Sequence, residues 1–531
     1  MSQNIQKMIR DILAQEVGSD ILFSVERSEI EAHGDYSSNI ALVRAKLERK
    51  APLEIAATIA TRIKEKHSNI FHSVEAVPPG FLNFYLAPEF LRREILEFLK
   101  PAKKKNLGRA CVEFISANPT GPLHVGNARS GPIGDVIANL LAWQGYKVTR
   151  EYYHNDAGAQ MGKLSATMWH WYLRACNKKS EFPEDGYPGD HLEIIARTAK
   201  KKFGTKLLTD KKGQTKLTEF TFGALEKENF ATIKSMGIRF DRVVRESILA
   251  KTKTKKVLVE LEHKGLLKKR EGAIWFSPTE ELETVVVKSD GTPIYFANDI
   301  AYHKEKFAKN DFVVDVFGEN HEAHIPKLYA VADAFGFSRE RLKIVVYGHV
   351  SLKEGEKVIA MSKRKGNFVT AEEVIKAVGA DAFRFFMLEH APRSSMQFDL
   401  KLAKAKSREN PVYYVQYAHA RTSGILRKSK AKIDLKKADW SLLETMPEIR
   451  LMKQILAFTE AVDETVSDFE TQWLTRYAYE LARTFTHFYE TTHVISEDKK
   501  LTASRLALVL LTRNTLQRIS KLLGISAPEK M

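Results

Sequence analysis

The sequence predicts a multidomain α/β protein: a parallel-sheet domain set between an N-terminal α+β module and a C-terminal α-helical bundle. Three observations predict it. Between residues 108 and 370, short apolar strand-like runs alternate with helically spaced segments, as parallel sheets with crossover helices require. Residues 1–107 mix both patterns and end in a lysine-bearing stretch, residues 101–108, of linker composition. From Ala371 onward strand signals fade, leaving a connecting segment over 371–403 and helical periodicity over 404–531. At 531 residues the chain can bury several substantial cores.

In the N-terminal module the spacing predicts a helix over residues 5–17 and a strand over 22–25. A polar turn follows at His33-Gly34-Asp35-Tyr36, then one helical pattern from Ala41 through Leu47 and Ile55 to Ile63. Residues 74–86 are strand-like around a Pro78-Pro79-Gly80 break. The central domain opens with a strand at 111–115 and a loop rich in Pro and Gly. A helix then carries Ile133, Val136, Ile137, Leu140 and Leu141 on one face and stops at Gly145. Strands are expected at 147–153, 312–317 and 342–350, with a turn at Ser289-Asp290-Gly291 and an insertion surface at 182–190. Residues 353–367 read as a flexible polar stretch. In the bundle, Leu474, Tyr477, Ala478, Leu481, Phe485 and Phe488 mark one helix face, and residues 506–523 form a last helix ended by Gly524.

A hydrophobic fraction of 44% and a charged fraction of 28% are those of an ordinary globular chain. No apolar run is long enough to span a bilayer, and residues 1–17 lack the apolar core of a secretion signal. A cytoplasmic protein with no membrane partner is therefore expected. Two cysteines, Cys111 and Cys176, argue against a disulfide framework and cannot make a four-cysteine zinc site. A formal net charge of +17 suggests a polyanionic partner such as nucleic acid, although basic surfaces also serve solubility. Lysine runs such as Lys268-Lys269-Arg270 fit either a solvated face or phosphate contacts.

Two stretches carry chemistry. The first runs from Glu113 through Asn118 to His124-Val125-Gly126-Asn127, where a strand, a glycine-containing loop and a helix start succeed one another. Unpaired backbone N–H groups and the helix dipole favour an anion there, so a phosphate site is expected. The second is Ala360-Met361-Ser362-Lys363-Arg364-Lys365-Gly366-Asn367, flanked by Gly355 and Gly366. A lysine on such a loop can neutralise charge that develops on a phosphate in the transition state.

This pair resembles the two signatures of class I aminoacyl-tRNA synthetases, His-Ile-Gly-His and Lys-Met-Ser-Lys-Ser. Further stretches narrow the resemblance to arginyl-tRNA synthetases: Val112-Glu113-Phe114 with Asn118-Pro119, Asn155-Asp156-Ala157-Gly158-Ala159-Gln160, and Tyr295-Phe296-Ala297-Asn298-Asp299-Ile300-Ala301-Tyr302. His33-Gly34-Asp35-Tyr36 and Tyr413-Tyr414-Val415-Gln416-Tyr417-Ala418-His419-Ala420-Arg421 extend it to both ends of the chain. The resemblance implies a Rossmann-like catalytic domain over 108–370, a tRNA-recognising module over 1–107 and an anticodon-binding bundle over 404–531. It implies ATP-dependent activation of L-arginine and transfer of the arginyl group to tRNA, with Mg²⁺ accompanying ATP, no zinc, and a monomer. His124, Gly126, Asn127, Met361, Ser362 and Lys363 are then expected to hold ATP, with Ser362 and Lys363 clamping its pyrophosphate. Glu113, Asn118, Tyr295, Asp299 and His321 are expected around arginine. Tyr413, Tyr417 and Arg421 are expected on tRNA, although tyrosines at this spacing also suit interhelical core. The family typically needs bound tRNA before it activates arginine.

The chain departs from the general class pattern twice. Asn127 stands where the second His usually sits, and Ala360 where the first Lys usually sits, leaving Arg364 and Lys365 as candidate compensating cations. Two alternatives bracket the reading. A cysteinyl enzyme shares the signatures but generally needs a zinc site that two cysteines do not supply. A catalytically silent tRNA-binding relative is opposed by the presence of His124, Lys363, Glu113 and Asp299.

Overall fold

A computed structural model describes residues 3–18, 21–28, 30–101, 105–359 and 369–531. At its centre is a five-stranded parallel sheet. From one edge to the other its strands are Leu342–Tyr347, Phe312–Gly318, Arg109–Glu113, Lys147–His154 and Arg242–Arg245. The chain lays down strands outward from Arg109–Glu113 in one direction, then returns to its other side for the last two. That reversal creates a crevice at the carboxyl ends of Arg109–Glu113 and Phe312–Gly318, the place where open α/β sheets bind ligands. The predicted helix is Ser130–Gln144, which buries Ile133, Val136, Ile137, Leu140 and Leu141 and ends at Gly145 (φ +115°). Gly134 lets it sit directly on Phe114; a Cβ there would overlap the phenyl ring.

The N-terminal module is a four-stranded antiparallel sheet, ordered Val25–Arg27, Tyr36–Ser38, Phe81–Leu86, Phe71–Val77, backed by helices. Three expectations need correction. The helical pattern from Ala41 to Ile63 is two helices, Ile40–Glu48 and Pro52–Lys66, broken at left-handed Arg49 (φ +54°). Pro52 explains the restart, because proline suits the first helical turn and disfavours helix in the residue before it. The early strand lies at Val25–Arg27, three residues later than its apolar run suggests. After Ala371, strand does persist: Met396–Asp399 pairs in parallel with Val350–Glu354, which also pairs antiparallel with Lys357–Ile359. The strand Lys357–Ile359 falls within the expected polar stretch 353–367, whose last residues, 360–367, lie outside the described residues.

The bundle behaves as its periodicity requires. All six face residues of Gln472–Thr491 are buried, and Lys499–Leu523 stops at Gly524 (φ +67°). Arg384, 1% exposed, ties three parts of the chain together. Its guanidinium donates to the Leu523 carbonyl (2.9 Å), to Met236 O (3.0 Å) and to Asp135 Oδ2 (2.7 Å) on the helix that follows the first signature. Gly524 lies directly beneath it, and a Cβ at that position would overlap the guanidinium. Gly524→Ala therefore meets both a left-handed backbone and a displaced buried cation. Stability should fall by about 3 kcal/mol, read as a lowered thermal or urea midpoint.

The N-terminal module docks on this bundle through the motif His33-Gly34-Asp35-Tyr36. Asp35 pairs with Lys453 (2.5 Å) and accepts from the Leu86 N–H (2.8 Å), while Tyr36 donates to buried Glu460 (2.5 Å). Gly34 (φ +77°) leaves room for the Phe84 carbonyl, 2.7 Å from where a Cβ would lie. The lysine run at 268–270 is paired internally, Lys268 and Arg270 with Glu283 and Lys269 with Glu262. Among the described residues no helix is long and apolar enough to cross a membrane.

Candidate active site

At the crevice the first strand leaves the sheet through a tight turn. Ile115 and Ser116 both have positive φ (+68° and +40°), unfavourable for any side chain and most of all for a β-branched one. Such geometry costs about 1–3 kcal/mol per residue and persists only when its surroundings impose it. Here Ser130 Oγ accepts from the Ile115 N–H (3.1 Å), Ser116 Oγ from the Tyr153 N–H (3.0 Å), and the Ala117 carbonyl from the Tyr152 hydroxyl (3.1 Å). The turn delivers Asn118, exposed, to the mouth.

One side of the crevice is acidic. Tyr153, at the carboxyl end of its strand, has its phenol pushed up by burial and then by the charges of Glu246, Asp299, Glu113 and Asp156. The charges of four carboxylates are thus felt at this ring. Asp299 sits one turn into the helix Tyr295–Lys309, with its side chain 26% exposed. Its charge opposes the burial that lowers the pKa of His321 and His324. Tyr295, 56% exposed, bonds His324 Nε2 through its hydroxyl (2.8 Å). His321 packs against Phe317, at the end of the neighbouring strand. Asp299, Tyr295 and His321 thus stand together.

Glu113 is placed differently from a side chain open to ligand. It is 4% exposed; Lys306 bonds one oxygen, and Ser116 Oγ donates to the other (2.8 Å). Burial pushes its carboxyl up, Lys306 pulls it down, and Asp315 pushes it up again. Lys306 also pairs with Asp315 (2.5 Å), and Asp315 with His303 (3.1 Å). Lys306, Asp315 and His303 were absent from the sequence-based site, as were Tyr153 and Glu246. Tyr153 and Glu246 sit at the carboxyl ends of parallel strands, Asp315 lies mid-strand, and His303 and Lys306 are on the inward face of the Tyr295–Lys309 helix, a positional signal available only once the sheet order is known.

The other side is built by the first signature. His124 caps the short helix Val125–Ala128, its Nδ1 accepting from the Gly126 N–H (3.0 Å). The neutral ring therefore carries its proton on Nε2. A Cβ on Gly126 would lie 3.2 Å from Nδ1, so glycine leaves the imidazole its place. Asn127 is half-buried, its carbonyl accepting from Ser130 Oγ (2.7 Å). Arg129, fully buried, donates to the carbonyls of Gly348, Ala391 and Ser394 and fixes the helix start to the strand beyond. The stretch downstream of residues 360–368 returns to this loop: His124 bridges Thr370, and the Ala371 N–H donates to Leu123 O (2.8 Å). The chain that follows the second signature is thereby joined to the first; Met361, Ser362 and Lys363 themselves lie outside the described residues. The His124 imidazole on one side and the Asp299 carboxylate on the other suit a molecule with an anionic and a cationic end.

Family models cover the chain in order: "Arginyl tRNA synthetase N terminal domain" at residues 1–86, "tRNA synthetases class I (R), catalytic domain" at 94–401, and "DALR anticodon binding domain" at 415–531. The chain belongs to the arginyl-tRNA synthetase family. It is 38% identical over 527 residues to the arginine–tRNA ligase of Citrifermentans bemidjiense, covering 96% of this chain and 95% of that one. It is 37% identical to that of Listeria monocytogenes over the full length of both. The solved arginyl-tRNA synthetase of Thermus thermophilus superposes with a TM-score of 0.75 at 25% identity, covering 99% of this chain and all of the other.

The enzyme's remaining candidates lie on the bundle. Tyr413 and Tyr417 stack in parallel on the helix Pro411–Ser429, with ring centroids 6.2 Å apart. Arg421 lies over Tyr417 (4.8 Å) and Tyr489 (4.6 Å), and all four reach the surface. Tyr414, by contrast, is buried core. Among the described residues no three His, Cys, Asp or Glu side chains are grouped to hold a metal ion.

Proposed function

We propose that this arginyl-tRNA synthetase activates L-arginine with ATP and passes the arginyl group to the terminal ribose of tRNA, with the residues above in the following roles. The observation that supports this reading is that the His124 loop follows the strand Arg109–Glu113 while Asp299, Tyr295 and His321 gather around the end of the neighbouring strand Phe312–Gly318, at one end of one sheet. The arginine carboxylate attacks the α-phosphorus and pyrophosphate leaves. A ribose hydroxyl then attacks the arginyl carbonyl and AMP leaves. No covalent enzyme intermediate is needed, so catalysis is positioning and charge stabilisation. His124 and Asn127 donate hydrogen bonds to the phosphates, and Gly126 admits the nucleotide. Met361 adds to the ATP site, and Ser362 and Lys363 clamp the departing pyrophosphate. Mg²⁺ travels with ATP, held by phosphate oxygens and water.

Asp299, with Tyr295 beside it, receives the guanidinium, a planar cation whose paired N–H groups match a carboxylate. Asn118 and His321 contact the rest of arginine. Glu113 shapes the recess through its charge and through Ser116. Tyr413, Tyr417 and Arg421 form a ladder for unstacked bases of tRNA. We assign residues 1–107 to outer tRNA recognition, 108–370 to catalysis, 371–403 to a connection and 404–531 to anticodon binding, in a monomer acting in the cytoplasm.

The test is ATP–pyrophosphate exchange by the full chain. Exchange should require arginine and be strongly promoted by tRNA, with lysine inactive as a substitute. No exchange under any combination would make the chain a silent tRNA-binding relative.

A further inference from the structure

Beneath the recess lies a chain of charges of which only Asp299 and Glu113 have a part in the mechanism above. Asp299, His303 and Lys306 share one face of the Tyr295–Lys309 helix, at positions i, i+4 and i+7. Asp315 comes from the middle of the strand Phe312–Gly318, and Glu113 from the strand beside it, in register with Asp315. His303, Lys306 and Asp315 are all fully buried.

The geometry fixes the charge of His303. Its Nδ1 lies 2.9 Å from the Asp299 carbonyl and 3.2 Å from Asp299 Oδ1, and its Nε2 lies 3.1 Å from Asp315 Oδ2. All these partners are acceptors. A neutral ring has one donor nitrogen and would set its bare nitrogen against an oxygen; only the imidazolium satisfies both sides. The electrostatics agree. Burial and Lys306 lower the His303 pKa, but the charge and hydrogen bonds of Asp299, with the bond to Asp315, outweigh them and raise it to about 10. Three carboxylates and two cations leave the network one negative charge, with Asp299 its only partly exposed member.

We propose that His303 is a positioning residue for arginine recognition: as an imidazolium braced on Asp315, which Lys306 also holds, it keeps the Asp299 carboxylate in place and leaves the network the single negative charge that a guanidinium cancels. This rests on the reading that Asp299 receives the guanidinium. Removing the imidazolium frees Asp299 to rotate and adds a second uncompensated negative charge beneath the substrate. The first change weakens a directional pair and the second disturbs its neighbours, so the loss falls on arginine binding rather than on the chemical step.

The test compares His303→Gln, Asp299→Asn and the double variant in tRNA-supported exchange, with KM measured separately for arginine and ATP. His303→Gln should raise the arginine KM about 10–100-fold, with kcat and the ATP KM within about twofold. Because His303 acts through Asp299, adding His303→Gln to Asp299→Asn should worsen the arginine KM by less than about threefold. If Asp299→Asn raises the arginine KM and His303→Gln does not, or if the two effects multiply fully, the inference is overturned and the Asp299 reading survives. If Asp299→Asn leaves that KM unchanged, the reading itself fails. A second measurement is independent of any variant's folding. In ¹⁵N-histidine spectra of the native chain at pH 8, where an ordinary histidine is neutral, one ring should carry protons on both nitrogens. Sixteen neutral histidines would overturn the proposal.

Discussion

Replacing Asp299 by alanine should raise the KM for arginine by about 10²-fold or more while leaving the fold intact. The size follows from what the substitution removes. A guanidinium bonded to a partly buried carboxylate loses about 2–5 kcal/mol when the carboxylate is truncated, and each 1.4 kcal/mol is a factor of ten. The side chain's 26% exposure places the effect in the middle of that range rather than at its top. The fold should survive because the main structural tie at this position is to the backbone. His303 Nδ1 lies 2.9 Å from the Asp299 carbonyl, which alanine retains. The ATP KM should change little, since ATP is proposed above to bind at the His124 loop rather than at Asp299. Initial rates of exchange with arginine and ATP varied separately provide the check, alongside thermal denaturation. A near-normal arginine KM would remove Asp299 from the pocket.

The recess also shows which parts of the site can be read from a chain of residues. Asp299 was legible because its neighbours, Tyr295 to Tyr302, form a recognisable run. Lys306 and Asp315 were not, because their meaning lies in contacts across the fold: Lys306 meets Glu113 across 193 positions of sequence. Two local signals were nonetheless present. Asp315 interrupts the apolar run Val313-Val314-Asp315-Val316, and an acid in a buried strand requires a buried partner. Asp299, His303 and Lys306 recur at helical spacing, a charged stripe on a helix whose other buried residues, Asn298 apart, are apolar or aromatic. Together they anticipate an ion network between that helix and that strand. The parallel domain itself was readable because buried strands are continuous apolar runs. Met396–Asp399 was missed because four residues of mixed polarity become a strand only by pairing with Val350–Glu354. Likewise Asp35 and Tyr36 belong to a recognisable motif, yet only the fold shows them bonded to Lys453 and Glu460 of the bundle.

His124→Ala should lower the rate of exchange by about 10²–10³-fold, with a stability loss of only about 1 kcal/mol. The two numbers separate because the imidazole does two things. Structurally it is a helix cap, its Nδ1 accepting from the Gly126 N–H, and losing such a cap costs about 1 kcal/mol. The loop has other anchors: the Ala371 N–H on Leu123 O, Ser130 Oγ on the Asn127 carbonyl, and the Arg129 guanidinium on three carbonyls. The helix start should therefore hold its place. Chemically, capping through Nδ1 commits the ring proton to Nε2, a preset donor where phosphate charge develops. Removing one such donor costs about 3–4 kcal/mol of transition-state stabilisation. His124→Asn distinguishes the roles. Asparagine is a good cap and should recover most of the lost stability. Its short side chain, with its oxygen occupied by the Gly126 N–H, reaches less far toward the nucleotide, so exchange should stay at least tenfold below that of the native chain. If His124→Asn restored rate and stability together, the histidine would be a cap alone, and the phosphate contact would have to be sought at Asn127 and on the loop bearing Ser362 and Lys363.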